Sequence, residues 1–165
     1  MPEMSEPREL FLHELGDILY AENMLVKTLP KLAKEATDPD LRTGFEMHLE
    51  QTRKHVDNVK QVFETLGEKA KAEKCPGIDG ITAEHDEFMK EEKPTSDICD
   101  LFLTGAGARA EHYEIAAYTG LVISAKALGE TKAAQLLEQN LAEEKEALKT
   151  LEAAAMRLSK ASAPA

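Results

Sequence analysis

Residues 111–118 read Glu111-His112-Tyr113-Glu114-Ile115-Ala116-Ala117-Tyr118, placing two carboxylates one helical turn apart in the most apolar segment of the chain. A buried carboxylate is costly unless it is paired or bound to a cation. Set among Ile115, Tyr118, Leu121 and Val122, this pair points to a cation site inside a helical bundle. The remaining helices must then supply the other walls and the other ligands.

Composition agrees with a bundle. The chain has 165 residues and no Trp, with 5% aromatic residues, and Ala, Leu, Glu and Lys dominate it, a helical profile. One domain of this size can bury a full four-helix core. A formal charge of −11 argues against nucleic acid and against an anionic membrane surface, both of which need a basic face. No apolar run approaches the ~20 residues that span a bilayer. The start, Met1-Pro2-Glu3-Met4-Ser5-Glu6, is acidic and unlike a signal peptide. Cys75 and Cys99 lie far apart and form no metal or redox motif. A cytoplasmic protein with reduced thiols is the expectation.

The segment organisation is all-α. A first helix over about residues 6–36 has Ser5 as its expected N-cap, with Glu6 and Pro7 in the first turn. Phe11, Leu15, Ile18, Glu22, Leu25, Leu29 and Ala33 recur along it at helical spacing. Pro30 cannot donate to the Val26 carbonyl, so a kink is expected there. Asp38-Pro39 opens a second helix over about residues 39–66, carrying Phe45, Leu49, Thr52, Val56, Val59 and Phe63, with Gly67 as the stop. So short a turn makes an antiparallel hairpin. Residues 67–94 are far longer than a bundle turn needs, and Ile78 to Lys90 could form a short extra helix. A connection of that length makes the flanking helices parallel, which is ferritin-like connectivity. A third bundle helix spans about residues 96–128 and stops at Gly129; a fourth spans about 130–159. Ser159 to Ala165 reads as a small, polar, frayed tail. The fold expected is a single ferritin-like up-down four-helix bundle with a long crossover between its second and third helices.

The two hairpins overlay with an offset of 92 residues: Ala33 falls on Ala125, Lys34 on Lys126, Leu49 on Leu141, Leu66 on Leu158, and Glu22 on Glu114. At 100° per residue, Glu22 and Glu144 lie in the centre of their helices' apolar stripes. Carboxylate-bridged di-iron and di-manganese sites in bundles take one Glu from each of two helices and Glu-x-x-His from each of the other two. That template expects Glu22 and Glu114 as the bridging pair, Glu and His at 52 and 55, and Glu and His at 144 and 147. Here 52 is Thr and 147 is Ala, while His55 and Glu144 are present. Glu111 and His48 also lie towards the interior and could compensate. The metal candidates are therefore Glu22, Glu111, Glu114, Glu144, His55 and His48.

The plainer reading of each is that a single inward Glu is more often a boundary residue or half of an ion pair, and an inward His is often bonded to a backbone carbonyl. Glu50-x-x-Arg53 is excluded, because Arg is no ligand and Glu50 lies about 160° from Thr52. His112 points away from Glu114, and His13 and His85 read as surface residues. Tyr118 reads either as a donor to a ligand or as ordinary core, and Cys75 as a buried anchor for the crossover. Leu101, Ala108, Ile115, Val122 and Ile123 make the third bundle helix apolar nearly all round, and Tyr20 and Met24 lie opposite Glu22. Such faces need cover from the crossover or a second subunit, and a homodimer is expected.

The sequence resembles the YciF/YciE-type bacterial ferritin-like stress proteins over roughly Leu10 to Leu158. Tyr20-Ala21-Glu22, His48-Leu49-Glu50-Gln51-Thr52, Lys74-Cys75 with Gly80-Ile81, Glu111 to Ala116 and Glu143-Glu144-Lys145 carry the resemblance. It implies a dimeric rubrerythrin-like bundle associated with stress responses, with Glu22, Glu111, Glu114 and Glu144 as metal candidates. No Cys-x-x-Cys occurs in the chain, so rubrerythrin-style electron delivery has no support here. The leading expectation is a metal-binding protein with two iron ions, manganese or zinc being alternatives, that reacts with O2 or peroxide or oxidises Fe(II). The rival is a non-catalytic, stress-protective bundle whose inward glutamates are protonated or paired.

Overall fold

The computed structural model describes residues 3–162, and the element order is α1 (Pro7–Glu35), α2 (Pro39–Thr65), α3 (Pro76–Glu91), α4 (Ser96–Ala127) and α5 (Thr131–Ser162). Prolines at the first position open α1, α2 and α3, where a missing N–H costs nothing. Glu6, rather than the expected Ser5, is the N-cap of α1. The reason is local: Glu9 Oε2 accepts from both Ser5 N (2.9 Å) and Glu6 N (3.0 Å), drawing the start one residue later. α1 stays helical through Pro30. Asp38 caps α2 by accepting from Leu41 N at 2.9 Å. Gly67 and Gly129 close α2 and α4 at φ +71° and +77°, a conformation that favours glycine.

α1 packs on α2 and α4, and α5 packs on α4 and α2, so the four long helices form a ring with α1 and α5 across one diagonal. This is the expected ferritin-like up-down bundle, with α3 as the extra helix of the crossover. Leu15, Ile18, Val59, Val62, Leu103, Tyr118, Ala125 and Leu137 are fully buried in its core. The crossover first runs along α1, where Glu73 N donates to Gly16 O at 2.9 Å. It passes so close that a Cβ on Gly16 would lie 2.9 Å from Lys71 O. Asp100 ties the other end together: it is buried on α4 and accepts from Thr37 N, Thr37 Oγ1 and Asp38 N at 2.6–2.9 Å.

Two expectations are corrected by the packing. His85 is buried, not at the surface: α3 lays it against the end of α1, with Nε2 2.8 Å from Glu35 Oε2 and its ring stacked on Phe102. α5 remains helical through Ser162, past the expected end at 159; the remainder of the expected frayed tail, 163–165, lies outside the described residues, as do residues 1–2 of the start read above as unlike a signal peptide. α3 also covers part of the apolar faces on α1 and α4, through Tyr20 O–H donating to Asp79 at 2.9 Å and Phe88 stacked on Phe102. Ile98 and Ile123 on α4 stay 48% and 64% exposed. No described helix is long and apolar enough to cross a membrane.

Candidate metal centre

Each candidate side chain is carried inward by the apolar stripe of its own helix. On α1, Glu22 shares a stripe with Leu15, Ile18, Leu25 and Leu29, so burying those leucines drags the carboxylate in with them. On α2, His48, Thr52 and His55 fall one turn apart on the buried face between Phe45 and Val59. α4 turns Glu111, Glu114 and Tyr118 to the core, and α5 turns Asn140 and Glu144 between Leu137 and Leu151. All six candidates are 6% exposed or less, and Glu22, Glu114 and Glu144 are at 0%. Glu50, His112 and His13 are exposed.

The six converge in two overlapping groups. His48, Glu111, Glu114 and Glu144 each offer a ligand atom within 4.8 Å of the others, and Glu22, His55 and Glu144 do the same. Glu144 is the member common to both. Within the first group His48 Nε2 lies 3.1 Å from Glu111 Oε1 and 3.4 Å from Glu144 Oε2. Within the second, His55 Nδ1 lies 2.8 Å from Glu144 Oε1 and 3.4 Å from Glu22 Oε1. These are close approaches, yet the atoms do not face one another as donor and acceptor. Among the described residues, the buried side-chain nitrogens and oxygens left without a hydrogen-bond partner all belong to these six residues. Glu114 and Glu144 each have both oxygens unpartnered, but Glu144 at least lies beside the two imidazoles, at 3.4 Å from His48 Nε2 and 2.8 Å from His55 Nδ1. Buried polar groups are nearly always satisfied, and a cluster of lone pairs aimed at shared points is what a bound cation would satisfy.

The surroundings orient these groups. His55 Nε2 sits 2.9 Å from Glu143 Oε2, so its N–H donates there and Nδ1 is left with a lone pair facing the cluster. His48 Nδ1 lies 3.3 Å from Gln51 Oε1, which leaves Nε2 facing inward in the same way. Tyr118 O–H donates to Glu22 Oε1. Asn140 Nδ2 donates to Tyr118 Oη at 2.9 Å, and Asn58 Nδ2 donates to Asn140 Oδ1 at 2.7 Å. Thr52, where the template has Glu, turns its hydroxyl back to His48 O at 2.8 Å and offers nothing to the centre. Such outer partners fix ligand orientation in metal sites.

Electrostatics without a cation are strained towards holding protons. Burial, then the charges of Glu144, Glu22 and Glu111, push the Glu114 carboxyl well above the usual carboxylate range. Burial likewise raises Glu144, against the lowering effect of His55. For both histidines burial acts to lower the pKa, but the carboxylates outweigh it: Glu111 for His48, Glu144 and Glu22 for His55.

Sequence reasoning missed Glu143, Asn140, Asn58 and Gln51 as parts of the site. Asn140 carried a signal, being a polar residue four before Glu144 on the same apolar stripe. It also stands at the repeat position of His48. Glu143 carried none, because its backbone faces the boundary and only the side chain's reach brings it to His55. Away from the cluster, Cys75 is fully buried as the expected anchor, its Sγ 2.9 Å from Tyr113 Oη, whose O–H donates to Asp17 at 3.0 Å. Both cysteines are free thiols.

Comparison with known proteins places this geometry in context. The family model described as a domain of unknown function, DUF892, matches residues 6–163. The chain is 36% identical over 143 residues to Protein YciF of Escherichia coli K12, covering 86% of each chain. The crystal structure of that E. coli stress protein superposes with a TM-score of 0.90, at 34% identity over 95% of this chain and 99% of that one. A putative structural protein, YcfI from Rhodopseudomonas palustris, superposes at 0.88 with 39% identity, covering 91% and 95%. A dodecameric thioferritin from Bacteroides fragilis shares the fold at 0.70, with 15% identity over 92% and 88%. The resemblance read from the sequence is borne out.

Proposed function

The chain belongs to the DUF892 family, and from that premise we propose that its buried cluster holds two metal ions, iron in the first instance, with manganese or zinc as alternatives. One observation carries the proposal: Glu114 is wholly buried with neither oxygen partnered. The rival reading, in which inward glutamates are merely paired or protonated, accounts for Glu111 and Glu144 beside histidines but leaves Glu114 with no acceptor for its proton. Carboxylates with imidazole suit iron and manganese. Glu22, His55 and Glu144 would hold one ion, and His48, Glu111, Glu114 and Glu144 the other, the two groups of donors sharing Glu144. Bound there, iron would supply electron transfer to O2 or peroxide.

The chain's own residues prepare that site. Glu143 and Gln51 hold the two imidazoles in the tautomers a cation needs. Tyr118 and Asn140 keep Glu22 turned to the centre, and the core helices exclude water from Glu22, Glu114 and Glu144. The stress role in the name of the E. coli relative is consistent with a centre that consumes iron or oxidant. Exposed Ile98 and Ile123 on α4 support a homodimer.

Metal analysis of protein purified after iron-replete expression tests the reading, with Glu22→Ala and Glu114→Ala alongside. Near-stoichiometric Fe or Mn that survives chelation of loose metal and is lost in both variants is expected. Absence of metal in the parent, with melting unchanged on adding Fe(II), would sink the proposal.

A further inference from the structure

Of the six cluster residues, His48 and Glu111 line a cavity of about 410 Å³ between α2 and α5, while Glu22, His55, Glu114 and Glu144 do not. The same two keep 6% and 4% exposure, against 0–1% for the other four. Their free atoms, His48 Nε2 and Glu111 Oε2, are buried behind the cavity's inner end. The cavity thus stops at the side chains of the first donors.

The two imidazoles are held unequally. His55 Nε2 is 2.9 Å from the Glu143 carboxylate, with Asn140 bonded to the His55 carbonyl and to Tyr118. His48 Nδ1 is 3.3 Å from the neutral amide of Gln51, which itself lines the cavity. A bond to an ionised partner is the shorter and stronger kind, so His48 is the ring freer to turn, and it stands on the open side. Ala147 adds a second asymmetry. The two-metal template reserves the residue three after Glu144 for a histidine; here it is a half-buried alanine that lines the cavity. The side chain that would have closed this corner is missing.

Charge along the cavity has one sign. Asp40 and Glu146 are exposed lining residues, Glu111 stands at the inner end, and the lining cation, Arg157, is already engaged by Asp38 and Asp40. Such a cleft concentrates cations and repels anions. Leu41, Phe45 and Leu151 offer no ligand that would detain an ion on the way. A second cavity also reaches His48 and Glu111, but at about 30 Å³ it has room for about one water. A divalent ion still carrying part of its water shell is confined to the larger one.

We propose that the α2–α5 cavity is the way in and out for a divalent cation, with His48 as its first ligand. The position of His48, Glu111, Glu114 and Glu144 then fills first and empties first, and the position of Glu22 and His55 exchanges through it. The proposal rests on the reading of the cluster as a metal centre and adds a route and an order to it.

Zn(II) alone is the probe, on the full chain freed of metal by chelation. Uptake is timed after mixing with Zn(II), release after adding excess coloured chelator to the loaded protein, and occupancy at equilibrium is measured separately. The parent should release its two ions in two phases of equal size. Ala147→Leu narrows the cavity and should slow uptake and release alike, by about tenfold or more. Occupancy should not change, since a barrier acts equally in both directions. Asp40→Asn combined with Glu146→Gln, both at exposed positions, should slow uptake at low ionic strength by about tenfold. Uptake by that variant should also lose most of its salt dependence. Gly120→Leu, at an exposed α4 glycine with open space around it, should leave both rates unchanged. A parent that holds no Zn(II) at equilibrium would overturn the metal reading and this proposal with it. Two ions bound, with rates indifferent to Ala147→Leu and to the double variant, would overturn the route alone. So would release in a single phase, or an Ala147→Leu protein that loses occupancy rather than speed. Should Ala147→Leu fail to fold, the double variant and the phases of the parent decide.

Discussion

Glu114 is the residue on which the two accounts of this protein part. With no cation present, burial and the charges of three neighbouring carboxylates push its carboxyl well above the usual carboxylate range and so favour the neutral form, which a Gln of nearly the same shape mimics. With a cation bound it must ionise, and Gln cannot. Glu114→Gln should therefore leave the metal-free protein about as stable as the parent, since one neutral buried polar group replaces another. It should also remove the gain in stability on metal addition, a gain of about 2.7 kcal/mol when free metal is a hundredfold above Kd. Thermal melts of parent and variant, with and without Fe(II) or Zn(II), read both signs; a variant equally destabilised in both states would make Glu114 an ordinary structural residue. The inward position of this side chain was legible, as were those of Glu22 and Glu144, because a carboxylate centred in an apolar stripe has nowhere else to go. His85 was misread as a surface residue, since the groups that bury it, Phe102 and Glu35, are distant in sequence. Which oxygen approaches which imidazole is fixed by side-chain reach, which sequence spacing does not encode.

Caps and turns were the legible part of the elements, and Asp38 illustrates both how far that went and where it stopped. Asp38-Pro39 announces the start of α2 by local chemistry alone. The partner that gives the cap its strength comes from the far end of the chain: Arg157 on α5 bonds both Asp38 oxygens at 2.7 and 2.8 Å. The Arg157 guanidinium, helped by the Leu41 amide and opposed by burial, holds the Asp38 carboxyl at about 2 against an ordinary 3.8. A folded-state value below the unfolded one means the contribution is full above about 4 and is lost as pH falls through about 2. Asp38→Ala should thus cost about 1 kcal/mol near neutral pH, the usual worth of an N-cap. That difference should shrink below pH 4 and vanish only below pH 2. Urea midpoints of parent and variant measured across that range check it, and a difference that stays at its neutral-pH size at pH 2 would mean the Asp38 charge is not what stabilises the turn. Asp100, which accepts three bonds from the same turn, was not legible at all, because an acid near a helix start reads as a dipole partner.

At the scale of the molecule, the offset of 92 residues made the bundle readable as two hairpins, and the long crossover made them parallel. The duplication does not extend evenly to the site. His48 stands opposite Asn140 in the repeat and Thr52 opposite Glu144, so α2 contributes imidazoles where its repeat partner α5 contributes a carboxylate. Donors nevertheless come from every long helix: Glu22 from α1, His48 and His55 from α2, Glu111 and Glu114 from α4, Glu144 from α5. α3 contributes none. It is held to the bundle by Tyr20–Asp79, His85–Glu35 and the Phe88–Phe102 stack, all away from the cluster. A cation at the centre would then act as a four-way crosslink of the bundle with no direct effect on the crossover. Removing it should loosen the long helices together around those six positions, because each loses its tie to the other three and gains a buried charge or proton. Hydrogen exchange read by mass spectrometry before and after chelation distinguishes this from general softening. Protection should fall in peptides spanning residues 18–26, 45–59, 108–118 and 140–147 while α3 keeps its own. Loss confined to one hairpin would restrict the centre to that half, and loss led by α3 would place the metal-dependent element in the crossover instead.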